Sequence, residues 1–184
     1  MNFKHKYLVI LFVSAIFLSC SDDDVDNTTN LETAIDLVTG INAKQDTNSI
    51  FQLGNPNVRM PIGFTSLSII AFPNPVNSAL NISLSQTNEV ITNVWLVRAN
   101  AEKIFQDTDF DAIYTENTYT IDEVSQASIQ EFNGFSNNEI ILNLEGLDTG
   151  YYRVFIKTDD SLYWDNIYVD NDGVDITEFF DFWE

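Results

Sequence analysis

From residue 63 onward the chain repeats one pattern: short runs in which apolar and polar residues alternate with a period of two, separated by clusters of Pro, Gly, Asn and Asp. That period puts successive side chains on opposite faces of an extended strand and lays no stripe on a helix. Between Phe64 and Ala71, Thr65, Leu67, Ile69 and Ala71 alternate with Ser66 and Ser68, and Leu80, Ile82 and Leu84 alternate with Asn81, Ser83 and Ser85. Ile140, Leu142 and Leu144 alternate with Glu139 and Asn143, and Tyr152, Val154 and Ile156 with Arg153 and Lys157. The first two runs predict strands with one face in the core and one in water, and the last two are the clearest strands in the chain. Val94 to Val97 is apolar on both sides, as in a central strand covered on both faces. A last strand is expected from Leu162 to Val169. Pro73-Asn74-Pro75 cannot continue a ladder because proline lacks a donor, and Asp148-Thr149-Gly150 and Asp170-Asn171-Asp172-Gly173 supply further turns.

The expected fold class is all-β, an antiparallel sandwich with Greek-key links over residues 63–170. Residues 31–62 read as an N-terminal arm, residues 107–138 as a long polar excursion with one or two short strands, Thr118–Ile121 being one candidate, and residues 171–184 as an acidic aromatic tail.

Residues 1–19 have the layout of a secretory signal peptide: Lys4, His5 and Lys6, an apolar run from Tyr7 to Leu18, then a small residue. Twelve helical residues rise about 18 Å, short of the roughly 30 Å hydrocarbon core of a bilayer. Phe17-Leu18-Ser19-Cys20 resembles the lipobox of bacterial lipoproteins, which implies that Cys20 becomes the lipidated first residue. The stretch Ser21-Asp22-Asp23-Asp24 behind it resembles the acidic export signal of Bacteroidetes surface lipoproteins. It implies a lipid-anchored protein on the outer face of the outer membrane, with the membrane as a partner through the anchor. Residues 20–30 are expected to be a disordered acidic tether, because Asp, Asn and Thr offer little apolar surface to offset ordering entropy.

Eight basic against 28 acidic residues give a formal charge of −20, and loss of residues 1–19 leaves 6 against 28, or −22. Such a surface repels phosphate backbones, so no nucleic-acid partner is expected. The only histidine, His5, leaves with the signal, and the only cysteine, Cys20, is occupied by lipid. Nucleophilic sites that need imidazole or thiol, and metal sites ligated by either, cannot then be built.

Two acidic loops have the alternating carboxylates with which calcium sites gather oxygen ligands, Asp107-Thr108-Asp109-Phe110-Asp111 and the set Asp170, Asp172 and Asp175. Neither has the full pattern of a helix–loop–helix calcium site, and the bland reading of both is a solvated turn; calcium at the second is the only cofactor the sequence suggests. Tyr163 and Trp164, with Phe182 and Trp183 in the tail, are candidates for stacking on a glycan or a protein partner, against the duller alternative of core packing. The tail itself, Glu178-Phe179-Phe180-Asp181-Phe182-Trp183, is either a terminal strand or short helix docked on the sandwich, or a peptide that adds to a partner.

Phe72-Pro73-Asn74-Pro75-Val76-Asn77 with Leu80-Asn81-Ile82, and later Leu144-Glu145-Gly146-Leu147-Asp148-Thr149-Gly150-Tyr151-Tyr152, resemble the C-terminal sorting domain of type IX secretion cargo. The resemblance covers roughly residues 66–170 and implies a seven-stranded immunoglobulin-like β-sandwich. It carries the fold and not the translocation role, since little chain precedes the module and a lipobox already offers a route outward. The expectation is a surface-anchored lipoprotein that is no enzyme and acts as an extracellular binding module. The rivals are a glycan-binding accessory lipoprotein and a structural component of an outer-membrane complex.

Overall fold

The structure, a computed structural model, describes residues 31–47, 49–61, 66–173 and 176–184. Cys20, the stretch Ser21–Asp24 and Asp175 lie outside the described residues. After a 3-10 turn at Leu31–Thr33 come β1 (Leu37–Val38), β2 (Gly40–Lys44), β3 (Ile50–Gly54), β4 (Ser68–Phe72), β5 (Ala79–Ser85), β6 (Ile91–Arg98) and β7 (Asn100–Ala101). Helices α1 (Phe110–Ile113) and α2 (Ile121–Ala127) follow, then β8 (Gln130–Asn137), β9 (Glu139–Asn143), β10 (Gly150–Thr158), β11 (Leu162–Val169) and helix α3 (Ile176–Trp183). The fold is mostly β, and its sheets are antiparallel apart from the two-residue pairing of β1 with β7. No helix among the described residues is long and apolar enough to cross a membrane.

A four-stranded sheet runs in the order β11-β10-β6-β8 and a three-stranded sheet in the order β4-β5-β9. Alternation explains how they meet. Leu80, Ile82 and Leu84 of β5 and Ile140 and Leu142 of β9 share one buried cluster with Val94 and Leu96 of β6 and Tyr152, Val154 and Ile156 of β10. The odd-numbered positions of β5 and β9 face outward and are partly or fully exposed. Each fully buried aliphatic side chain contributes about 1.5–3 kcal/mol, so this shared interior is the main stabilising element.

The outer face of the large sheet is covered as well. Trp95, Val97, Phe155, Leu162 and Trp164 point away from the shared interior into a second cluster, closed by Phe110, Tyr114, Tyr119 and Val124 from the polar excursion. Residues 107–138 thus roof this face, and the excursion holds one strand, β8, as expected of it. The expected strand at Thr118–Ile121 is corrected: Thr120 is the N-cap of α2, its hydroxyl accepting from the Glu123 amide while the Glu123 carboxylate accepts from the Thr120 amide at 2.8 Å. This reciprocal cap satisfies donors that a strand would have left to a neighbour. Residues 130–137, with exposed or half-exposed side chains throughout, form the edge strand β8.

Residues 31–61 are likewise built in. The β2–β3 hairpin pairs Gly40 with Gly54 through Lys44 with Ile50 and lies against β11. A Cβ on Gly40 would stand 2.5 Å from the backbone of Asn55 and Pro56, so only glycine allows the chain to return this closely. The Pro73-Asn74-Pro75 segment is a connection within the small sheet, and Asn74 is its buried joint. Its side-chain amide donates to the Asn42 carbonyl at 2.8 Å and to the Asn166 carbonyl at 2.9 Å, and its side-chain oxygen accepts from the Tyr168 amide at 3.0 Å.

Candidate interaction surface

Part of the charge that the sequence offers turns inward. Six cations follow residue 20, and two of them, Lys44 and Arg153, are buried. The Lys44 ammonium donates to the Asp165 carboxylate, a contact between residues 121 positions apart with both side chains shut off from solvent. Arg153 has no carboxylate partner among the described residues. One guanidinium nitrogen donates to the Tyr119 hydroxyl at 2.8 Å and the Ala34 carbonyl at 3.2 Å, the other to the Asn57 carbonyl at 2.7 Å. Its charge also lies over the rings of Tyr119, Phe155 and Trp164, at 5.3, 5.5 and 6.0 Å from their centroids. Carbonyls and ring faces thus replace the water that burial removes, and they tie residues 34–57 to β10.

Tyr163 and Trp164 cannot serve a glycan in this fold, which corrects that expectation. Trp164 has no exposed surface: its indole N–H donates to the Asn57 carbonyl at 3.3 Å, and Tyr119 crosses it edge-on at 4.9 Å. Tyr163 points the other way, into the interior shared by the two sheets, and is 5% exposed. Burial pushes its phenol up, as it does those of Tyr114, Tyr152 and Tyr168. Trp95 is buried, as its doubly apolar strand predicts.

In the first acidic loop the Asp109 carboxylate accepts from the Ala112 amide and caps α1, a structural use that accounts for its position. In the second, the backbone amide of Asp170 donates to the Val76 carbonyl at 2.8 Å and that of Asp172 to the Thr149 hydroxyl at 3.1 Å. Among the described residues no three His, Cys, Asp or Glu side chains come close enough to hold one metal ion, and Asp175, the third ligand of the expected set, lies outside them. A cavity of about 540 Å³ opens between the 33–35 segment and α2, lined by Thr33, Ala34, Ile35, Tyr119, Glu123 and Ala127. Its one carboxylate, Glu123, is already engaged by Thr120, whose amide and hydroxyl hold it below the usual carboxylate range.

The tail is different. It forms the helix α3, which docks by Phe179 and Trp183, four residues apart on one face and both buried. Those rings meet Tyr151 at 6.3 and 5.8 Å, and Phe179 meets Tyr168 at 4.9 Å. Of the two tail candidates, Trp183 is therefore an anchor and only Phe182, 40% exposed, presents a ring to solvent. On the other flank Phe180 touches Phe51 of β3, which is 61% exposed, at 6.3 Å. Glu178 and Asp181 are exposed between these flanks. The signal for this surface was present in the alternation of acid and ring in the tail; the hairpin residue Phe51 carried none. Comparison with family models, curated proteins and solved structures finds no match to this chain.

Proposed function

We propose that this chain is a surface-anchored lipoprotein, lipidated at Cys20, whose anionic immunoglobulin-like β-sandwich binds a cationic protein partner. The three-on-four strand order, with one interior filled from both sheets, supports the sandwich. So does the Tyr152 hydroxyl, which donates to the carbonyl of Asp148 four residues upstream at 2.7 Å, the bond of a tyrosine corner. The resemblance to type IX sorting domains points to the same fold.

The observation that carries the binding role is the exposure of Phe51 and Phe182 on either side of Glu178 and Asp181, on a helix already docked. Exposed rings in a rigid setting mark contact sites, and the acidic residues between them select a basic partner. Only four cations after residue 20, Arg59, Arg98, Lys103 and Lys157, are not buried, so the rest of the surface does not offset this field.

Peptide panels and glycan arrays probed with the purified protein test the reading. Basic peptides bearing an aromatic or aliphatic anchor are expected to bind, more weakly as salt rises, and to lose binding in a Phe51→Ser, Phe182→Ser variant of unchanged melting temperature. Retention on glycans by that same variant, or on no basic peptide at all, overturns it. Cys20→Ser is expected to release the protein from membranes and to abolish fatty-acid labelling.

A further inference from the structure

We infer that β9 is a self-association edge, on which a second copy of this chain adds its own β9 in antiparallel register. The backbone places the free groups. Asn138 accepts from the Leu84 amide and Leu144 donates to the Ser78 carbonyl, both toward β5, so the even-numbered residues of this strand bond inward. The amides and carbonyls of Glu139, Ile141 and Asn143 then point outward, away from β5. β9 is the last strand of its sheet.

The other edges are guarded. Along β11, Arg59 exchanges two backbone bonds with Trp164, and Val76 accepts from Asp170 and donates to Tyr168. In β4 the Ile69 amide donates to the Pro61 carbonyl, β3 lies beside α3, and β8 carries Gly134 at a φ of +80° opposite a register shift in β6. Bulges, irregular backbone and covering segments are among the ways sheets blunt their edges, and among the described residues β9 has none of these three. Its exposed row instead bears Ile141, 67% exposed.

Charge selects the occupant. The outward face of the small sheet presents Ile70, Phe72, Asn81, Ser83, Ile141 and Asn143, with Glu139 as its one ionisable group, on a protein otherwise dense in acid. A second copy meets least repulsion there. The register that uses all five residues of β9 sets Ile141 against Ile141 and Glu139 against Asn143 at both ends. The two Ile141 residues then exchange both backbone bonds, and each carboxylate faces an amide instead of another carboxylate. An opening of about 460 Å³ beside Phe135, Asn137 and Ile140 leaves room along the edge. Five residues make a small interface, so the dimer belongs to the weak class, with Kd of about micromolar to millimolar.

Sedimentation velocity of the purified protein across concentration and salt tests this. Added salt is expected to strengthen the dimer by screening like charge, the opposite of its effect on the proposed cationic partner, so the two readings fail separately. Asn143→Glu places carboxylates opposite each other twice and should weaken association roughly tenfold, whereas Asn143→Lys should tighten it roughly tenfold. Ile141→Pro removes only an outward donor and should abolish the dimer while leaving the monomer's ladder to β5 intact. A monomer at every concentration, or a dimer indifferent to the sign of the charge at position 143, overturns the inference.

Discussion

The indole of Trp183 occupies the space where any residue but glycine at position 54 would place its β-carbon. A Cβ built on Gly54 comes within 2.6 Å of the Trp183 ring and 2.8 Å of the Thr39 carbonyl, and the backbone there has a φ of +64°. The ring could swing away but the carbonyl and the dihedral angle could not. Gly54→Ala is therefore expected to cost about 1–3 kcal/mol in urea unfolding and to shift the fluorescence of Trp183 as α3 loosens.

Lys44 and Asp165 make a second prediction. Removing one partner strands the other charge where water cannot reach it, so Lys44→Met should destabilise by about 3–5 kcal/mol. The double variant Lys44→Met, Asp165→Leu should recover much of that loss, because an apolar pair needs no compensation. Denaturant melts of the three proteins compare these costs directly.

Tyr151 lies under the tail helix, and burial pushes its phenol up to about 12. The unfolded chain releases this proton near pH 10, so between pH 10 and 12 the folded state holds the proton that the unfolded state has lost. Its contribution is complete below pH 10 and disappears as pH climbs toward 12. Alkaline titration followed by tyrosinate absorbance should show Tyr151 ionising together with the release of α3, and Tyr151→Phe should delay that release.

At the acid end the capping box of α2 contributes. Thr120 donates twice to the Glu123 carboxylate and holds its folded pKa below the ordinary 4.5. This support is present above pH 4.5 and fades as pH falls through the lower, folded value. Thr120→Ala should cost about 1 kcal/mol at neutral pH, and thermal melts should show the gap to the parent protein narrowing in acid.

The strands that the sequence announces are those with one clean apolar face. β5, β9 and β10 appear where alternation places them, because Leu80, Ile82, Leu142, Val154 and Ile156 have nowhere else to go. Alternation is silent where burial is won by distant pairing. In β2, Asn42 and Lys44 are polar by composition yet buried, and their partners, Asn74 and Asp165, come from remote segments. Trp164 sits in β11 between Tyr163 and Asp165, all three buried, so no period distinguishes its face. β8 is an edge with little apolar weight, and α2 announced itself only through Thr120 and Glu123. For the interaction surface, the rings and acids of the tail were legible, but which ring anchors and which is presented depends on Gly54 and Tyr151.

The roofing of the large sheet by residues 31–61 bears on how the molecule can be cut. A fragment trimmed to the strand-rich stretch would lose the Asn57 carbonyl that accepts from both the Trp164 indole and the Arg153 guanidinium. It would also lose the ammonium that neutralises Asp165. Expression fragments must consequently start no later than Leu31.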